Sequence, residues 1–258
     1  MRIDVLTIFP EMFAPVLETS IPGRARAAGA ATYHTTDLRD FAGNKHNKID
    51  DRPFGGGPGM VMTCQPIWDA VHAIEAHDAH LPAQRILMTP QGTPLTQHMV
   101  EQLAALPRLL IIAGHYEGVD ERVVERLAPM EISVGDYVLS GGELAALVLI
   151  DAVVRLLPGV LGDDQSAAQD SFSPAQGDGR RLLDCPHYTR PRDWQGAVVP
   201  DVLISGDHGA VARWRLERQR ERTLARRPDL MAPAPPASPH RPQPPAAPPG
   251  GDKRAGLG

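Results

Sequence analysis

The sequence predicts an α/β protein built on a mostly parallel sheet. Three observations carry that prediction. Apolar runs of four to seven residues alternate with helix-like stretches. Three of those runs end directly in polar, glycine-bearing loops: Thr89 to Gly92, Gly114 to Gly118 and Gly135 to Gly142. A later stretch, Glu143 to Leu157, is apolar almost all round, which predicts a helix buried on every side.

The elements follow in order. Ile3 to Phe9 is rich in β-branched residues and closed by Pro10, so it reads as a buried strand. Glu11 to Thr19 and Arg24 to Ala28 read as helices. Asp40 to Met60 is polar and glycine-rich and reads as one long loop. Gln65 to Ala76 carries Trp68, Val71 and Ile74 at helical spacing. Arg85 to Met88 is a strand running into Thr89-Pro90-Gln91-Gly92. Thr96 is placed to cap a helix reaching Leu106. Leu109 to Ala113 is a buried strand, Asp120 to Leu127 a helix and Glu131 to Val134 a strand. From Pro158 to Pro191 the composition turns to Gly, Asp, Ser, Pro and Arg, a linker of a length that is seldom idle. Trp194 to Asp229 reads as a small, mostly helical unit. Half the positions from Pro233 to Gly250 are proline, with too little apolar mass to fold, so the end of the chain reads as a disordered tail. The division is 1–160, 161–193, 194–230 and 231–258.

Ordinary globular composition, 42% hydrophobic and 22% charged, allows a sizeable core. Two cysteines, Cys64 and Cys185, suit a reducing cytosol, and Asp4 and Pro10 break any leader-like apolar run. The chain therefore reads as cytoplasmic, with no membrane span. Its net charge is −5, yet Arg213 to Arg227 holds seven arginines against two glutamates. Arg215, Arg218, Arg222 and Arg226 fall on one helical stripe, and Val211 and Trp214 are placed to anchor it. A solvated charged face would look the same. Arginine without lysine tilts the reading toward phosphate contacts.

In open α/β sheets ligands bind beyond the carboxyl ends of strands, where the three loops should converge. There is no GxGxxG and no Walker lysine, so ordinary dinucleotide and P-loop sites are disfavoured. Gly55-Gly56-Gly57-Pro58-Gly59 alone is a flexible turn. Taken singly, Arg155 is a charge at a helix C-terminus, Asp170 a turn or capping carboxylate, and Glu117 a solvated acid. The histidines lack metal-ligand spacing.

Several strings together are specific. DDRPFGGGPGM (Asp50 to Met60), PQG (Pro90 to Gly92), GHYEG (Gly114 to Gly118), GDYVLSGGE (Gly135 to Glu143), PGVLG (Pro158 to Gly162), DSF (Asp170 to Phe172) and LLDCPHYTRP (Leu182 to Pro191) occur in one order. In that order and spacing the sequence resembles the TrmD-type bacterial tRNA (guanine-N1)-methyltransferases over roughly residues 1 to 230. The resemblance implies a SPOUT-like fold, a sheet with a deep trefoil knot followed by a small helical C-terminal domain. Nothing in composition or periodicity shows such threading, and true knots are nearly absent from other folds.

It further implies a methyl donor, S-adenosylmethionine, held by Leu87, Thr89, Pro90, Gln91, Gly114, Tyr116, Glu117, Val134, Gly135, Asp136, Tyr137, Val138, Leu139, Gly141 and Gly142. It implies a homodimer with each site shared between subunits, and the guanosine at tRNA position 37 as target. Asp170 would take the N1 proton and Arg155 would stabilise charge on O6. Asp50 and Glu117 would orient the guanine, with Arg215, Arg218 and Arg222 on the RNA. Magnesium is implied without a readable ligand set. His115 stands where many relatives carry arginine, and Ser173 to Arg181 reads as an insertion. The competing readings are a related knotted methyltransferase acting on ribose or ribosomal RNA, an RNA-binding protein without catalysis, and a nucleotide-binding enzyme with no RNA role.

Overall fold

A computed structural model of the protein describes residues 1–162, 169–173 and 180–231. The expected disordered tail from 232 onward, residues 174–179 of the expected insertion and linker residues 163–168 lie outside the described residues.

The centre is a five-stranded sheet. Its strands are β1 (Arg2–Thr7), β2 (Thr32–Asp37), β5 (Gln84–Pro94), β6 (Arg108–Ala113) and β7 (Met130–Ser133). They lie in the order β2-β1-β6-β5-β7, and every neighbouring pair is parallel. Two short strands, β3 (Asp50–Asp51) and β4 (Val61–Met62), form a separate antiparallel hairpin. Period-two alternation divides the core between the two faces. From β6, Leu109 and Ile111 join one cluster with α1 (Ala14–Leu17), α2 (Ser20–Ala27), α4 (Gln97–Ala104) and α6 (Glu143–Val154). Leu110 and Ile112 join the other, with α3 (Cys64–His77) and α5 (Glu121–Leu127). Both faces of β6 are covered, so all six of its residues are buried. The chain ends its described part with a short hairpin, β8 (Asp193–Trp194) and β9 (Ala197–Val198), and a long helix, α7 (His208–Arg226).

Local capping follows the sequence. Thr96 accepts from the Met99 N–H at 3.3 Å, and Asp120 accepts from the Arg122 N–H at 3.0 Å. Charge is concentrated where the parallel strands begin. Arg108, buried, donates to Asp4 at 2.8 Å and to the carbonyls of Ile74, Asp78 and Leu81 at 2.6, 3.1 and 3.1 Å. Arg2 completes the cluster against Asp4 and Asp78.

Several expectations need correction. The strand β2 was not announced by the sequence, because Tyr33 is its one buried side chain and its other residues are polar. The long loop at 40–60 is interrupted by β3, which closes it as a hairpin on β4. Residues 89–92, expected as a loop after a strand, lie inside β5, where the pairing with β7 slips between Met88 and Thr93. The helix expected over 11–19 is a turn of 3-10 helix, Pro10–Met12, followed by the four-residue α1. The apolar helix α6 is not buried on every side: Leu144 and Val148, one turn apart, are 51% and 52% exposed.

Candidate active site

The carboxyl ends of β5, β6 and β7 share one edge of the sheet, and the loops leaving them enclose a cavity of about 310 Å³. Its walls carry Leu87, Thr89, Pro90 and Gln91 from β5, Gly114, Tyr116 and Glu117 after β6, and Val134, Gly135, Tyr137, Val138, Leu139, Gly141 and Gly142 after β7. The structure thus brings together every residue expected at the methyl-donor site except Asp136, which is exposed and outside the lining.

Close approach of backbones sets which residues are tolerated. The Gly142 N–H donates to the Gly114 carbonyl at 2.6 Å, and His115 bridges to Gly141. A Cβ on Gly142 would sit 2.9 Å from the Ala113 Cα and the Gly114 nitrogen. A Cβ on Gly92 would sit 2.5 Å from the Ile132 nitrogen. Only glycine permits those contacts. Tyr116 is held at φ +60, a conformation that costs a non-glycine residue roughly 1 kcal/mol or more and clusters at functional sites.

Sequence reasoning missed the buried carboxylate of Glu143 as part of this architecture. It begins α6, accepts from the Thr7 hydroxyl at 3.0 Å, and lies 3.5 Å from the ring Nδ1 of His115, which lines the cavity. The available signal was an acid opening a mostly apolar helix. Glu131 was missed as well. It lines the cavity, and burial pushes its carboxyl above the usual range, with Glu121 adding to the shift.

Asp170 and Arg155 do meet. The Arg155 guanidinium donates to the Asp170 carboxylate at 2.6 Å. Arg155 caps the C-terminus of α6, yet its side chain turns to Asp170 rather than to the helix carbonyls. The segment bearing Asp170 is well tethered. Phe172, at φ +66, receives a bond from Arg181 at 2.7 Å and donates its N–H to the Leu182 carbonyl. Arg181 also grips Glu101 of α4 with both nitrogens. What the structure does not do is bring this pair to the cavity of its own chain. Gly142 is at the cavity and Arg155 at the far end of α6, so the 12 residues of that helix separate them, roughly 20 Å.

A scan of family models matches residues 1–233 to the tRNA (Guanine-1)-methyltransferase TrmD model. The chain belongs to the tRNA (guanine-1)-methyltransferase family. Curated relatives named tRNA (guanine-N(1)-)-methyltransferase agree. The protein of Anoxybacillus flavithermus is 52% identical over 231 residues, covering 90% of this chain and 91% of its own. That of Chloroflexus aggregans is 51% identical over 232 residues, at 90% and 88% coverage. That of Neisseria meningitidis serogroup C is 50% identical over 231 residues, covering 90% of each.

A methyltransferase of this family needs a methyl donor, and the cavity fits one of nucleoside size. It is glycine-walled, lined by backbone, by apolar side chains and by polar ones such as His115, Glu117 and Glu131, and within the usual range for small-molecule sites. A magnesium ion would need only one or two carboxylates beside water. Among the described residues the one cluster of three metal-capable donors is Asp184, Cys185 and His187, and a single carboxylate with a thiol and an imidazole suits a softer ion.

In this member of the family the arginine helix is less uniform than its sequence. Arg215 is exposed. Arg218 is engaged with Glu217 and Glu221 at 3.1 and 2.7 Å. Arg222 donates to the Asp184 carbonyl at 3.3 Å and helps fix the linker. The expected anchors also differ: Trp214 is only half-buried beside Tyr188, while Thr223 is fully buried and accepts from the Leu183 N–H at 2.9 Å. Asp50 begins the hairpin that borders Glu117. Among the described residues no helix is long and apolar enough to cross a membrane.

Proposed function

We propose that this protein transfers a methyl group from S-adenosylmethionine to N1 of the guanosine at position 37 of tRNA, in the cytoplasm and as a homodimer. The observation that carries the reading is the separation along α6. The cavity and the Asp170–Arg155 pair lie at opposite ends of one helix, so a single chain cannot apply both to one guanine. A second copy, with its Asp170 at the first copy's cavity, resolves this. The exposed stripe of Leu144 and Val148 on α6 supports the same arrangement, because apolar side chains left uncovered on a core helix suit an interface.

S-adenosylmethionine supplies an electrophilic methyl group on sulfur. Guanine N1 carries a proton and its lone pair is delocalised, so it attacks poorly unaided. Asp170 accepts that proton as the N1–C bond forms and the C–S bond breaks, its electron pair going to sulfur. Negative charge gathers on O6, and the Arg155 guanidinium answers it. Until then Arg155 holds the Asp170 carboxylate at 2.6 Å and fixes its direction. Glu117 and Asp50 orient the base. Arg215, being exposed, makes the phosphate contact expected of the stripe, whereas Arg218 and Arg222 serve chiefly to hold α7 and the linker.

The division into a knotted catalytic unit at 1–160, a linker at 161–193, a helical tRNA-binding unit at 194–230 and a tail belongs to this reading. The meeting of His115 with Gly141 and of Gly92 with Glu131 supports the knotted part. Labelled methyl transfer tests the activity, using tRNA transcripts with guanosine at positions 36 and 37 beside one with adenosine at 37. Label at guanine N1 in the first alone is expected. Label in neither, despite donor and tRNA binding, would sink the reading. Asp170→Asn is expected to abolish turnover and leave donor binding intact.

A further inference from the structure

The β3–β4 hairpin is fixed at its base and free at its tip. At the base, the Met62 N–H donates to the Gly118 carbonyl at 2.9 Å, the Asp120 N–H to the Met62 carbonyl at 3.0 Å, and the Glu117 N–H to the Met60 carbonyl at 3.0 Å. The Glu117 side chain lies over Gly59 so closely that a Cβ there would come within 2.2 Å of its oxygen. The hairpin is therefore joined to the cavity wall. At the tip, a Cβ added to Gly55, Gly56 or Gly57 would meet nothing within 4 Å, and all three glycines have positive φ.

Beside them Phe54 is 98% exposed, the barest large apolar side chain among the described residues. The surrounding loop carries three cations against two acids, Asp50 and Asp51. Lys45, Lys48 and Arg52 are all exposed. Lys48 pairs with Asp51 at 3.3 Å, while no ion pair engages Lys45 or Arg52 among the described residues. An exposed aromatic ring and exposed cations on one loop are a means by which proteins hold unpaired nucleotides: the ring stacks on a base and the cations meet phosphates.

We propose that Phe54 is a nucleobase-stacking residue, packing on an unpaired anticodon-loop base adjacent to the target guanosine, with Lys45 and Arg52 on the flanking phosphates. This rests on the tRNA reading above and adds to it a positioning contact outside the methyl-donor cavity. Stacking fits better than burial in an apolar protein pocket, because the cations beside the ring would have to lose water there.

The test compares the full-length wild type with Phe54→Ala, Phe54→Leu and Phe54→Trp. Transcript affinity is read by fluorescence anisotropy, tRNA KM and kcat by methyl transfer, donor affinity by calorimetry and folding by thermal melting. Phe54→Ala is expected to weaken transcript affinity and raise KM roughly 10-fold, the scale of one lost base stack, with donor affinity and melting unchanged. Tryptophan should restore affinity and leucine should not. On transcripts made abasic at the neighbour of the target, wild type and Phe54→Ala should become equal at one of the two flanking positions. Unchanged affinity in Phe54→Ala, rescue by leucine equal to that by tryptophan, or a loss that persists on both abasic transcripts would overturn the assignment. Anisotropy needs no turnover, so a wild type that binds tRNA without methylating it would sink the activity reading and leave the stacking contact standing.

Discussion

At the amino ends of β1 and β6, Arg108 and Arg2 meet Asp4, Asp78 and three backbone carbonyls, and the charges there are answered from within the chain. At the carboxyl ends of β5, β6 and β7 the same sheet presents glycines, a tyrosine at positive φ, and Tyr137 and Val138 largely in water. One edge satisfies its polar groups internally. The other leaves space for something else. The contrast teaches that stability and ligand binding are carried by opposite ends of shared strands, so substitutions at the two ends should separate cleanly.

The largest expected effect is at the amino edge. Arg108→Met removes one of the two arginines that hold buried Asp4 and the donor to three backbone carbonyls, and should cost about 3–5 kcal/mol in urea denaturation. Donor affinity of the folded fraction should not move. A variant of normal stability that had lost donor binding would break the comparison. Next comes Gly142→Ala at the opposite edge. Its Cβ would press on the Ala113 and Gly114 backbones, which cannot rotate away. Donor affinity should fall at least roughly 10-fold, while stability drops by the smaller cost of overpacking, about 1–3 kcal/mol. Equal losses at both edges would mean that the cavity is part of the stability core.

The smallest effect sharpens the same contrast through pH. Burial raises the Glu131 carboxyl, so the folded protein binds that proton more readily than the unfolded chain. Its contribution to stability is present below the unfolded value, near about 4.3, and is lost as pH climbs through the raised folded value. Denaturation midpoints measured from acid to neutral pH should show this decline in wild type and lack it in Glu131→Gln. An identical pH profile in the two proteins would place Glu131 outside the linkage.

Much of this was legible in the sequence, for reasons that can be named. β1, β5, β6 and β7 announce themselves by their short apolar runs, which in β1 and β6 are buried on both faces. The cavity residues follow from glycine-bearing loops at strand ends, with the family resemblance supplying their individual names. The edge strand β2 was not legible, since Tyr33 is the one side chain it puts in the core and its other residues are polar. Thr223 was not legible either, because a buried threonine on a charged helix is marked by its partner, the Leu183 N–H, which only folding brings near. The arginine stripe was found, but periodicity cannot tell Arg215, exposed, from Arg222, bound to the linker. Leu144 and Val148 misled in the opposite direction: an all-round apolar helix predicts burial, and a single chain does not provide the cover.

That missing cover leads to the most direct test of a site shared between two copies. Asp170→Asn and Gly142→Ala chains, carrying different affinity tags, can be co-expressed and the mixed dimer isolated and assayed at a donor concentration too low to fill the Gly142→Ala cavity. Sharing predicts one intact site per mixed dimer, the Asp170→Asn cavity served by the other chain's Asp170, and hence about half the wild-type rate of methyl transfer to tRNA. A mixed dimer as inactive as its parents, or a protein that remains a single chain in solution, would contradict it.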